Sequence, residues 1–294
     1  MILPSSHQLP PIYQRRLGEI IVTALSDGYL DVPYDVMLDI SAHDAEQILT
    51  GEFQLSPPRV AVNAFALRTA GRVGLIETGS GTSMGPTLGR LPRNLVAAGI
   101  HPGEIDTILL THMHPDHSNG LSDDAGQAVY PNAELVVHED DVAHWLDDGR
   151  MAQATERQKI RYFKAARQHL AVYQGPLRTF RTGEVFPGVT CVPIPGHTPG
   201  HTAYVVTSGG ESLLLWGDTV HIPEVQFARP DVTMVFDSDP AAAAIMRRRV
   251  FDMACTERFL IGGTHLHFPG FAHLARWSGG YRLVPEPWML EMQG

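Results

Sequence analysis

The chain has 294 residues, of which 44% are hydrophobic and 18% charged, and its formal net charge is −10. That is long enough for a large buried core and too apolar for a disordered polymer. No basic run suits nucleic acid, no apolar run reaches the roughly 20 residues that span a bilayer, and the two cysteines, Cys191 and Cys255, are too few for a disulfide framework or a zinc ribbon.

Both cysteines sit in apolar stretches and read as small buried hydrophobes. The acidic excess reads as a solubility feature that disfavours anionic partners. Residues 1–16 are proline-rich and polar and carry no apolar signal core, so a cytoplasmic protein is expected; an exported mature form would read the same way.

Strand signals begin at 19–26 (EIIVTALS) and continue at 60–69 (VAVNAFALRT) and 72–77 (RVGLIE), the last two joined by a tight turn at Ala70-Gly71. A glycine-rich loop at 78–85 leads into a helix over 88–98 that Gly99 stops. An apolar run of strand length at 105–111 (IDTILLT) ends directly in HMHPDH, and a further strand is expected at 134–138 (ELVVH). Residues 139–174 mix charges with aromatics and read as helical. Strand signals return at 178–181, 189–194, 202–207 and 212–216, followed by a helix at 240–255, a strand at 259–263 and a tail rich in Gly, Pro and aromatics. Two blocks of strands, each trailed by helices, predict one α/β domain over 1–294. It would be a four-layer αββα sandwich with a helical insertion at 139–174 lying over the sheet ends.

The segment Thr111-His112-Met113-His114-Pro115-Asp116-His117 places four potential metal donors at the end of an apolar strand. His112 and His114 are two apart, so in an extended segment they face the same way. Pro115 disfavours helix at His114 and suits the first turn of a helix that begins there, so Asp116 and His117 turn elsewhere. One short segment can therefore serve two adjacent ions. Three more donors each follow an apolar run: His197 in PGHTPGH, Asp218 in LWGDT and His265 in GGTH. Nitrogen and oxygen donors of this kind suit zinc, manganese, cobalt or iron.

HxHxDH, a histidine in PGHTPGH, a GD pair and a last histidine after a strand together resemble the metallo-β-lactamase superfamily. More narrowly, the chain resembles the branch that holds methyl parathion hydrolase and related lactonases and arylesterases. That likeness is carried by NAFAL (63–67), GPTLGRL (85–91), THMHPDH (111–117), LLWGDTVHIPEVQF (214–227), FDSD (236–239) and HLHFPGFAHLARWSGGYRLVP (265–285). The resemblance implies that His112, His114 and His197 hold one divalent ion, that Asp116, His117 and His265 hold a second, and that Asp218 bridges them. Zinc is the first expectation for both. His267 competes with His265 for the last position, because two residues on it could share the same face. His201 reads as a supporting residue. Two departures stand out: Glu77 occupies a place where the superfamily usually has aspartate, and His221 a place where acyl-homoserine-lactone lactonases typically carry tyrosine.

The chemistry implied is hydrolysis by a hydroxide shared between the two ions, with Asp116 as general acid/base and His221 as a second proton carrier. By resemblance Met84, Trp145, Tyr162, Phe163 and Phe236 line the substrate pocket. The substrate is then a small apolar ester or lactone, with organophosphate triesters as a side activity. The alternatives are an acyl-homoserine-lactone lactonase and a mononuclear-iron sulfur dioxygenase of the same fold. A homodimer is expected, built on the aromatic-rich insertion.

Overall fold

The computed structural model describes residues 8–288 together with residues 290 and 292. Its first half contains β1 (Ile12–Leu17), β2 (Ile20–Asp31), β3 (Met37–Leu38), α1 (Ala42–Gly51), β4 (Arg59–Thr69), β5 (Arg72–Ile76) and α2 (Leu91–Ala97). β6 (Thr107–Leu109), the one-turn α3 (Pro115–Ser118) and β7 (Glu134–His138) follow. The insertion comprises α4 (Glu139–Leu146), α5 (Asp148–Gln153), α6 (Glu156–Gln158), a π-helical turn Lys159–Lys164 and α7 (Ala165–Val172), and β8 (Leu177–Phe180) comes after it. The second half contains β9 (Gly183–Phe186), β10 (Val189–Pro193), β11 (Thr202–Ser208), β12 (Glu211–Leu215), α8 (Pro223–Ala228), β13 (Thr233–Met234), α9 (Pro240–Glu257), β14 (Leu260–Gly262), β15 (Phe271–Trp277) and β16 (Gly280–Pro285).

The strands form two seven-stranded sheets, ordered β1-β2-β4-β5-β6-β7-β8 and β16-β15-β14-β12-β11-β10-β9. From β5 to β8 the pairing is parallel, and β12 pairs parallel with β14. The central strands read as unbroken apolar runs because both of their faces are buried. In β4, Phe65 and Leu67 face the second sheet while Ala64 and Ala66 face the helices. In β7, Val136 points to the second sheet, and Leu135 and Val137 point to the insertion. α2 and the insertion cover the outside of the first sheet, and α8 and α9 cover the outside of the second, which makes four layers. A smaller core at one end joins α1, β3, β13 and α8.

Several expectations change in detail. The strand read at 105–111 is only three residues long, because Leu110 and Thr111 leave the ladder to carry the histidines. The Gly- and Pro-rich tail forms a hairpin, β15–β16, turned at Ser278-Gly279, and the proline-rich start contains β1. Cys191 lies in the core between the sheets, whereas Cys255, read as buried too, is only partly covered. Among the described residues no helix is long and apolar enough to cross a membrane.

Candidate metal centre

Each donor follows the C-terminal end of a strand, where α/β architectures present functional side chains. After β6 the backbone bends at Thr111 and is extended at His114 (φ −68°, ψ 158°), and Pro115 then opens α3. His112 and His114 therefore leave from an extended segment, and Asp116 and His117 from a helical turn. The Ser118 hydroxyl closes that turn, 3.2 Å from the Met113 carbonyl and 3.0 Å from that of His114. His197 follows β10, Asp218 sits in the turn after β12, and His265 follows β14. Gly217, beside Asp218, has φ +52°, and a Cβ there would stand 2.7 Å from His201 Nε2, so the position needs glycine on both counts. The two sheets are tied at this end. Thr202 N–H donates to the Thr111 carbonyl at 2.9 Å, and the Asn63 amide donates to the Leu266 carbonyl at 2.7 Å.

The donors converge in two adjoining groups. In the first, His197 Nε2 lies 2.9 Å from His114 Nδ1, 3.1 Å from His112 Nε2 and 3.2 Å from Asp218 Oδ2. In the second, His265 Nε2 lies 3.5 Å from Asp116 Oδ2, and His117 Nε2 lies 3.7 Å from the same oxygen. Asp218 Oδ1 is 3.0 Å from His117 Nε2 and 3.1 Å from His265 Nε2, so its two oxygens face different groups.

The outer nitrogens fix which ring atoms face inward. His197 Nδ1 donates to Asp237 Oδ1 at 2.7 Å, and Asp237 Oδ2 accepts the Met234 N–H at 2.8 Å. His265 Nδ1 donates to the Ala61 carbonyl at 2.7 Å, and His117 Nδ1 lies 3.3 Å from Glu77 Oε1. In the neutral ring these partners leave Nε2 with a lone pair aimed at the centre. Lone pairs 3 Å apart repel unless a proton or a metal cation lies between them, and a tetrahedral ion with bonds of about 2.0–2.1 Å spaces its donors about 3.3 Å apart. Asp218 Oδ1 and His117 Nε2 are buried with no hydrogen-bond partner, which suits a donor role. The residues present thus fit divalent metal ions.

Charge balance points the same way. Burial, helped by neighbouring imidazoles, holds His112 and His114 well below the ordinary histidine range. Burial also opposes charge on His117, His197 and His265, but the surrounding carboxylates win. His117 is held well above the ordinary range by Asp218, Asp116 and Glu77, His197 is raised to about 9 by Asp218 and Asp237, and His265 is raised by Asp218 and Asp116. Burial likewise works against the Asp218 charge, and the imidazoles around it hold its pKa well down nonetheless. The carboxylates thus favour positive charge at this spot, which divalent cations can supply.

An apolar cavity of about 110 Å³ opens on the centre. His114, Asp116, Asp218, His221 and His265 face it, and Met84, Tyr162 and Phe236 are among its walls. Trp145 and Phe163 do not reach it. They are buried within the insertion and border a neighbouring cavity of about 250 Å³ that also touches His114, Tyr162 and Phe236. His221 Nε2 lies 3.0 Å from Asp218 Oδ2, and burial lowers its pKa to about 4. His267 turns away: it is half-exposed and pairs with Glu224 at 2.7 Å, because residues 264–267 form a turn and not the extended segment that would put it beside His265. His201 Nε2 accepts the Asp218 N–H at 3.0 Å.

Sequence reasoning gave no role to several residues that hold the site. Besides Asp237 there is Asp141, which accepts Met113 N–H at 2.9 Å and Trp145 Nε1–H at 3.2 Å and whose carboxyl is raised to about 7 by burial. Asp27 accepts the backbone N–H groups of Ser80, Gly89 and Leu91 and so fixes the loop that carries Met84. Leu30, Val32 and Val60 supply further cavity wall from the N-terminal strands. Of these residues only Asp237 lies in a stretch, FDSD, that carries the family resemblance.

A family model described as the metallo-beta-lactamase superfamily matches residues 57–254, which include all but one of these donors. The chain belongs to the metallo-beta-lactamase superfamily. Its two sheets and flanking helices are that superfamily's sandwich. It superposes on the crystal structure of AbOPH, a hydrolase in the beta-lactamase superfamily, with a TM-score of 0.90 and 33% identity, covering 96% of this chain and 100% of the other. The TM-score is also 0.90 for AidC, a dizinc quorum-quenching lactonase, with 25% identity over 96% of this chain and 99% of that one. A Mycobacterium tuberculosis protein named as a probable metallo-hydrolase is 29% identical over 139 residues, 44% of this chain. The match spans 41% of that relative's length. The converging donors are placed where a metal site of this fold can form.

Proposed function

We propose that this chain is a binuclear metal-dependent hydrolase of small apolar esters or lactones, allied to the methyl parathion hydrolase branch and able to act on organophosphate triesters as a side reaction. The observation that carries the reading is the pair of donor groups joined by Asp218 and opening on an apolar cavity. His112, His114 and His197 would hold one ion, Asp116, His117 and His265 the other, with Asp218 between them. Divalent ions, when bound, supply Lewis acidity and a water acidified towards neutrality. The protein's own residues do the rest. Asp116, partly open to the cavity, orients the attacking water and takes its proton. His221 hydrogen-bonds Asp218 and faces the same cavity, which suits passing a proton to the leaving group. Met84, Tyr162 and Phe236 hold the apolar part of the substrate and exclude bulk water.

A quorum-quenching lactonase is the second reading, favoured by the likeness to AidC over nearly the whole chain. The complete second donor group argues against a single-iron sulfur dioxygenase. The test is elemental analysis of the purified protein with a panel of dihydrocoumarin, a phenyl ester, an acyl-homoserine lactone, methyl paraoxon and nitrocefin. About two metals per chain and lactone or aryl-ester turnover, lowered by about a thousandfold in Asp116→Asn, is the expected result. One iron per chain with an inert panel would sink it.

A further inference from the structure

Beside the metal-facing cavity lies another of about 240 Å³, which shares Met84, Pro115 and Tyr162 with it as common walls. Its far side is formed by the insertion, through Arg157, Ile160 and Arg161. The charge there is opposite to that of the chain as a whole. Residues 157–167 carry Arg157, Lys159, Arg161, Lys164 and Arg167, including the only two lysines in the sequence, against a formal net charge of −10 overall.

Two of these cations are occupied, Lys159 with Glu156 at 2.8 Å and Arg167 with Asp148 at 2.7 Å. Arg157 and Arg161, the two that border the cavity, have no carboxylate within 4.0 Å among the described residues.

We propose that this second cavity binds an anionic group, a carboxylate above all, carried by the substrate away from the bond that is cut. The substrate class is then esters or lactones with a free acid group, an inference that rests on the hydrolase reading above. Two guanidinium groups on an apolar wall suit bidentate carboxylate recognition. A local positive field in an acidic protein also draws anions to this one opening, against the expectation from overall charge.

Monophenyl succinate and phenyl butyrate test this, because their acyl chains differ chiefly in the terminal carboxylate. The metal-loaded enzyme is expected to favour monophenyl succinate by about tenfold in kcat/KM at low salt, with the preference narrowing as salt rises. In Arg157→Gln/Arg161→Gln the ratio should fall to near one, mainly through KM. Equal values in the wild type, or a preference that survives the double substitution, would overturn the proposal. If neither ester is cut, the hydrolase reading fails on its own, and calorimetry with N-phenylsuccinamic acid decides about the cavity. Binding weakened about tenfold in the double variant upholds the anion site, and binding that is equal in both proteins, or undetectable in both, rejects it.

Discussion

Asp237 shows how a carboxylate can act on the centre without facing the cavity's reacting end. It fixes His197 through Nδ1 and is itself anchored by the Met234 N–H, so the imidazole has one orientation and one tautomer. Asp237→Ala should weaken metal retention by about 10–100-fold, read by competition with a chelator. Retention equal to wild type would mean that packing alone orients the ring. Glu77, from a residue whose own φ is +67°, comes within 3.3 Å of His117 Nδ1 without forming a hydrogen bond to it, and its Oε1 accepts the Thr111 N–H at 3.4 Å, so its charge stands beside the imidazole without fixing the ring as Asp237 does. The donors were legible because each follows an apolar run at a strand end. Asp237, Asp141 and Asp27 were not, since nothing in their flanking residues separates them from the other acidic residues among 32.

The insertion is joined to the centre by α7. His169 Nδ1 lies 3.1 Å from the Ser122 hydroxyl and Nε2 3.1 Å from Asn119 Oδ1, and the Asn119 amide in turn donates to Ser83 at 2.6 Å. One buried ring thus links α7, the turn after His117 and the glycine-rich loop. Burial depresses its pKa to about 4, against 6.5 for the free side chain. A depressed histidine favours folding while it is neutral. As pH falls below 6.5 the unfolded chain takes up the proton first, and stability is lost until the folded form titrates near 4. His169→Gln should therefore lose less stability than wild type between pH 7 and pH 5, by about 2 kcal/mol, in chemical denaturation at both pH values. Parallel losses in the two proteins would remove His169 as the acid-sensitive link. Sequence patterning gave this segment as helical but not its breaks or its π-helical turn. Those depend on where Tyr162 and Phe163 find partners, one at the cavity and the other in the core.

Over the whole molecule the centre depends on two sheets keeping their spacing, because His112, His114, Asp116 and His117 follow the first sheet, and His197, Asp218 and His265 follow the second. Phe65 fills the space between them, its ring 5.6 Å from that of Phe271 across the sheets. Phe65→Ala should cost about 3–5 kcal/mol in denaturant unfolding. It should also lower metal content, since the two halves of the donor set would no longer be held in register. A cost under about 1 kcal/mol with full metal content would mean that the sheets close over the gap. The positively charged stretch on the insertion is likewise a whole-molecule feature: its cations matter through the cavity that the loop at Met84 and the turn at Pro115 complete.

The layer order, the strand-end placement of the donors and the change of direction at Pro115 within HMHPDH are readable along the chain. All of these follow from local periodicity and from the backbone limits of proline. Long-range packing sets His265 at the centre while His267 pairs with Glu224, and it places Met84, Tyr162 and Phe236 around one cavity beside the donors while Trp145 and Phe163 border a neighbouring one with His114. It also brought Leu30, Val32 and Val60 from the N-terminal strands into that cavity. These outcomes depend on contacts between residues far apart in the chain, and no local pattern of side chains encodes which distant partner a residue will meet.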